Sequence, residues 1–105
     1  MPIDANLNPL RNGILYGVDT RAIAEIEEMN RRHGEDKIFN GCANALSSQA
    51  TGPKILWIKK NEPEIYAKAK WFVTASSFIV ARLTGEVVVD HFSAGSHHPL
   101  YDPWK

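Results

Sequence analysis

Cysteine is all but missing from this chain. Cys42 stands alone, and one thiol can form neither an internal disulfide nor a cysteine-built metal cluster, so the expected home is the reducing cytoplasm. Charge of one sign is missing too. Lysine plus arginine and aspartate plus glutamate both number 12, so no basic excess draws the chain onto nucleic acid and no acidic tail is present. No apolar run reaches the roughly 18 residues of a membrane helix, and Met1-Pro2-Ile3-Asp4 lacks the basic and apolar regions of a signal peptide. A soluble, unexported chain with no nucleic-acid or membrane partner is expected. Gly-x-x-x-x-Gly-Lys-Ser/Thr and Gly-x-Gly-x-x-Gly are both absent, which excludes the two common glycine-rich phosphate cradles.

What is present suits one compact domain: 105 residues, 44% apolar and 23% charged, enough to bury a core. Met1 to Asn12 reads as an extended lead-in with a turn at Asn12-Gly13. Ile14 to Tyr16 reads as a short buried strand, and Asp19 or Thr20 as the cap of a helix over Arg21–His33. In that helix Ile23, Ile26 and Met29 share the inner face. Glu27 with Arg31 and Glu28 with Arg32 form outer i,i+4 pairs, each worth about 0.2–0.5 kcal/mol. Gly34 stops it. A helical turn over Asp36–Phe39 and a loop over Asn40–Thr51 follow. Gly52-Pro53 starts a helix with proline at its first position, burying Ile55, Leu56 and Ile58 beside Trp57; Asn61-Glu62-Pro63 breaks it and opens another to about Lys70, with Ile65, Tyr66 and Ala69 inward.

Trp71 to Thr74 is an apolar run that pattern alone leaves between strand and buried linker. Ser76 or Ser77 caps a helix over Phe78–Leu83 that Gly85 stops, Val87–Val89 reads as a second short strand, and Asp90–Lys105 as irregular chain. There is no internal repeat and no domain boundary.

Several groups could carry chemistry, and each has an ordinary alternative. Asp19 and Arg21 could hold a polyol through charge-assisted hydrogen bonds, or serve as a helix cap and a surface arginine. Gln49 and Lys54 flank a helix start whose free N–H groups suit an oxygen-rich ligand, or are a loop glutamine and a solvated lysine. His91, His97 and His98 with Asp90 and Asp102 fit no closed zinc spacing. Cys42 beside Gly41 and Ala43 reads as a small buried residue rather than a nucleophile paired with histidine. Trp57, Trp71, Phe72 and Phe78 could stack on a sugar ring or an adenine, but fall where core packing uses them.

Taken in order, the strand into Asp19-Thr20-Arg21, the acidic and basic helix, Ser47 to Thr51, Pro53-Lys54-Ile55-Leu56-Trp57, Thr74-Ala75-Ser76-Ser77 and Leu83-Thr84-Gly85-Glu86 resemble the FGGY carbohydrate kinases, xylulokinase-like members above all. Asp90-His91-Phe92-Ser93-Ala94 and Pro99-Leu100-Tyr101-Asp102 look like the segment that follows there. The resemblance implies an α/β fold, the mostly helical portion of a ribonuclease-H-like (actin-like ATPase) domain with one or two short strands. It also implies that residues 1–105 form a single segment, the second half of the N-terminal domain.

Such kinases move the γ-phosphoryl group of ATP, with magnesium, to a hydroxyl of a sugar or polyol, chemistry that rests on positioning and charge neutralisation. The family's Trp-x-Asp-x-Arg turn, which borders the sugar pocket, matches Gly17, Asp19 and Arg21, with glycine in place of the aromatic and Tyr16 beside it. Gln49 and Phe78 match further sugar contacts. Absent are the leading strand pair with its Asp-Gly phosphate turn, the Gly-Gln-Met-His-Gly-like segment, the catalytic aspartate and the C-terminal nucleotide domain. The resemblance therefore implies a fragment that supplies part of the sugar side and needs the rest of the kinase polypeptide. By itself it would be inactive, would bind neither ATP nor magnesium tightly, and would self-associate or be only marginally stable, because backbone of the Ile14–Tyr16 strand is left unpaired. The competing reading is a non-catalytic interaction or regulatory module that reuses the kinase scaffold; a small zinc hydrolase is a third.

Overall fold

A computed structural model describes residues 1–103; the part of the irregular C-terminal stretch expected at Trp104 and Lys105 lies outside the described residues. The elements in order are β1 (Pro2–Ile3), α1 (Ile23–His33), α2 (Glu35–Cys42), α3 (Thr51–Asn61), α4 (Pro63–Lys68), β2 (Trp71–Phe72), α5 (Ala75–Thr84) and α6 (His91–Gly95). The fold is α/β and mostly helical. Its sheet is a two-stranded antiparallel ribbon pairing Pro2 with Phe72 and Ile3 with Trp71, extended by the Met1 N-terminal ammonium, which donates to the Val73 carbonyl at 2.9 Å.

The strands differ from the sequence expectation. Ile14–Tyr16 and Val87–Val89 are not strands; Leu15 is 65% and Tyr16 64% exposed, and among the described residues no ladder partner stands beside them. A strand is a pairing, and β-forming residues without a partner edge stay irregular. The lead-in holds the partner instead: Ile3, wholly buried, lies in the sheet beside Trp71.

Helix boundaries moved for local reasons. Residue 19 caps a turn, its Oδ1 accepting the Arg21 backbone N–H at 3.0 Å, while α1 starts two residues beyond Arg21 from Ala22 without a side-chain cap. The inner stripe of α1 is correspondingly Ala22, Glu25, Ile26 and Met29, the 3–4 spacing of one helix face; Ile23 is exposed and Glu25 buried. Glu28 pairs with Arg32 at 3.3 Å and with Lys60 of α3; Glu27 and Arg31 do not close to an ion pair. Lys60 Nζ also lies 3.9 Å from Glu25, which gives that buried carboxylate an opposite charge.

Gly34 ends α1 as expected. The turn foreseen at Asp36–Phe39 is a full helix, α2, reaching Cys42, so the loop shortens to 43–50. Thr74, not Ser76 or Ser77, caps α5: its Oγ1 accepts the Ser77 N–H at 3.2 Å. The stretch after Asp90 is less irregular than its composition suggests, because Asp90 Oδ1 accepts the Ser93 N–H at 2.8 Å and caps α6.

Candidate functional site

The segment 14–21, lacking sheet partners, is held by side chains from residues 48–57. Lys54 Nζ donates to the Leu15 carbonyl at 2.9 Å, Tyr16 donates its hydroxyl to Gln49 Oε1 at 3.1 Å, and Ser48 Oγ donates to the Gly17 carbonyl at 2.9 Å. Three consecutive residues are thus fastened to the start of α3. Gly17 sits at φ +72°, with room for a Cβ, which would meet only Gln49 Cγ at 3.7 Å; conformation, not space, calls for glycine there.

Beyond Gly17 the chain presents Asp19 and Arg21 together. Arg21 Nε donates to both carboxylate oxygens at 2.9 and 3.0 Å and Nη2 to Oδ2 at 2.8 Å, while the guanidinium lies 4.8 Å from the centre of the Trp57 ring. Stacking and a forked pair fix an otherwise floppy side chain. The Arg21 hydrogen bonds hold the Asp19 carboxyl down at about 2, and Asp19 in turn raises the Arg21 guanidinium. Both groups remain charged at neutral pH and partly accessible, with side chains 18% and 33% exposed. Such a pair offers carboxylate acceptors and remaining guanidinium donors to a ligand rich in hydroxyl groups.

The start of α3 differs from the free helix end expected at Gly52-Pro53. The Thr51 and Gly52 N–H groups donate to the carbonyls of Ser96 at 2.9 Å and His98 at 3.2 Å, and Pro53, buried, has none to give. The segment after α6 plugs this helix end, so it does not serve an anion. Lys54 is buried rather than solvated. Desolvation lowers its pKa, Asp19 opposes that shift and Arg21 adds to it.

Among the expected site residues, Asp19 and Arg21 are paired with each other, whereas Gln49 is bonded to Tyr16 and lines a cavity that neither Asp19 nor Arg21 lines. Phe78 lies half-buried on α5 and is not among the residues around the cavity that Tyr16, Gln49 and Lys54 line. His97 and His98 bond through Nδ1 to the Ser93 and Gly95 carbonyls, and His91 Nδ1 bonds the Tyr101 hydroxyl. Among the described residues no three histidine, cysteine or carboxylate side chains gather as a metal site. Cys42, buried, donates to the Ile38 carbonyl at 2.9 Å, which closes the helix end rather than arming a nucleophile. Sequence reading missed Ser48 and the Tyr16–Gln49 bond; a contact across 33 positions leaves no periodic trace.

Against known proteins, residues 1–102 match the FGGY family of carbohydrate kinases, N-terminal domain. The chain is 32% identical over 88 residues to a xylulose kinase of Staphylococcus xylosus, covering 84% of this chain and 18% of that protein. It is 30% identical over 92 residues to a xylulose kinase of Bacillus subtilis (strain 168), covering 88% and 18%. An autoinducer-2 kinase of Klebsiella pneumoniae is 33% identical over 82 residues, covering 75% and 15%. The chain thus spans less than a fifth of the curated relatives it matches. No solved structure matches. Matched over residues 1–102, nearly all of its length, the chain belongs to the FGGY family of carbohydrate kinases.

Proposed function

We propose that residues 1–105 form a single segment of a ribonuclease-H-like N-terminal domain in a cytoplasmic, ATP- and magnesium-dependent kinase that phosphorylates a hydroxyl of a xylulose-like sugar or polyol. The observation that carries this reading is the Asp19–Arg21 pair, stacked on Trp57 and presented on a loop pinned by Ser48, Gln49 and Lys54. Asp19 supplies acceptors, Arg21 donors and Gln49 an amide at the cavity edge, three groups suited to orienting a polyol rather than to chemistry on it. Phe78 enters through the family resemblance alone.

In this reading the sites for ATP and magnesium lie outside this chain. No acidic trio is gathered among the described residues, and the first N–H groups of α3 are taken by protein carbonyls. Both belong to the rest of the kinase polypeptide, and the chain alone does not transfer phosphate. Large apolar side chains at the surface, Leu83 at 80% and Phe92 at 90% exposed, support contact with that polypeptide or with a second copy.

The test is coupled ATP consumption with pentuloses, hexuloses and polyols, run on this chain and on the same segment restored to its flanking kinase sequence. Turnover is expected only in the restored protein, with Asp19→Asn and Arg21→Met raising KM for the sugar and leaving KM for ATP in place. Turnover by the short chain would overturn the reading.

A further inference from the structure

A cavity of about 670 Å³ opens between the 13–16 segment, α3, β2 and the starts of α5 and α6. Its walls are mainly apolar, with Leu15, Ile55, Ile58, Phe72 and Phe92 contributing, and the size lies in the range of small-molecule sites. Its charge is one-sided. Lys54 and the Met1 terminus line it, and no aspartate or glutamate does.

Lys54 is only 7% exposed, yet among the described residues no carboxylate lies within 4.0 Å of its Nζ, and its one hydrogen bond goes to the Leu15 carbonyl. An ammonium has three donors, and a buried cation served by a single neutral acceptor is poorly compensated. The Met1 ammonium is in the same position, with the Val73 carbonyl at 2.9 Å. Burial lowers the pKa of both groups, and at Lys54 the charge of Asp19, which lies beyond ion-pair distance, only partly opposes the shift.

We propose that this cavity is a binding site for a small monocarboxylate with an apolar body, of the size of a medium-chain fatty acid, its carboxylate on the Lys54 ammonium and its chain against Ile55, Ile58 and Phe72. A carboxylate supplies a countercharge in direct contact with Nζ, which Asp19 does not reach, and the apolar walls reward the rest of the molecule. Asp19 and Arg21 do not line the cavity, although Gln49 does, and Lys54 also pins the loop that carries the pair.

The test is calorimetric titration of the whole chain with octanoate and, separately, with the uncharged 1-octanol. Octanoate is expected to bind saturably, one per chain, and octanol roughly tenfold more weakly, the loss that a charge-assisted hydrogen bond brings. Lys54→Met should show the same loss for octanoate with no change for octanol, and Lys54→Arg should restore it. Absence of saturable octanoate binding, including because a second copy fills the cavity, would overturn the proposal. So would equal affinity for octanoate and octanol, a comparison within the wild-type chain that decides the matter even if Lys54→Met does not fold.

Discussion

Adding one methyl group at Gly52 should unseat the C-terminal segment from the helix it plugs. A Cβ built there falls 2.7 Å from the His98 carbonyl oxygen and 2.7 Å from Pro99 Cδ, both far inside ordinary contact and neither on a flexible side chain. Overpacking of this kind costs about 1–3 kcal/mol, with the upper end fitting rigid neighbours. Alanine is the better helix former by about 1 kcal/mol, so Gly52→Ala should be destabilising by a net amount near ~2 kcal/mol, a fall in Tm of roughly 8–16 °C for a chain of this size. Urea unfolding followed by far-ultraviolet circular dichroism reads it. Gly41→Ala in α2 is the matched control: nothing lies within 4 Å of its Cβ position, so the propensity gain stands alone and the variant should be as stable as the parent or more so, by up to about 1 kcal/mol. If Gly52→Ala melts with Gly41→Ala, the contact between α3 and residues 98–99 is not the close approach described, and the plugged helix end goes with it.

Three further outcomes follow from single groups. The Met1 amine is lowered to about 6 from 8.0, by burial first and Arg11 second. The unfolded chain therefore binds the extra proton between those values, and stability should rise from pH 6 to pH 8, by about 1–2 kcal/mol after allowance for partial exposure; the difference between free and N-acetylated chains isolates it from the histidines, and equal slopes would refute it. Asp19, held at about 2 by Arg21, contributes stability that is complete above its ordinary pKa of 3.8 and lost as pH falls from there to 2, so Asp19→Asn should flatten the acid limb of a stability curve, by under about 1 kcal/mol for so accessible a pair. Thr74→Ala removes the cap of α5 and should cost about 1 kcal/mol by denaturant titration, whereas Ser76→Ala should cost far less.

What the sequence disclosed was local. Gly34 and Gly85 stop their helices, Asn61-Glu62-Pro63 separates α3 from α4, and Asp19 and Arg21 share one turn, because each rests on the chemistry of neighbouring residues. Pairing was not disclosed. Ile14–Tyr16 and Val87–Val89 have strand composition, yet the strand that forms beside Trp71 is Pro2–Ile3, chosen by which edge is within reach rather than by propensity. On α1, Ile26 and Met29 face inward as their spacing indicates and Ile23 does not, for a similar reason: Lys60 on α3 gives Glu25 a partner, so a carboxylate enters the stripe that hydrophobicity alone would reserve for Ile23.

The candidate site divides along the same line. Its two charged members are adjacent in sequence and visible as a motif, but what holds them in place comes from about thirty to forty residues away, through Ser48, Gln49, Lys54 and Trp57. Those four occupy a loop and the outer and inner sides of one helix start, so no single period describes them. The buried core is built largely of small residues, Ala22, Cys42, Ala50, Ala81 and Ala94, with Ile3, Ile38, Ile58 and Val73, while Leu15, Val18, Leu83 and Phe92 face outward. Composition counts all of these alike as apolar. Only their placement separates residues that hold this segment together from residues whose exposed area calls for a partner, and that separation makes the loop, fastened by polar bonds rather than by a core, the part of the molecule most sensitive to losing Lys54 or Ser48.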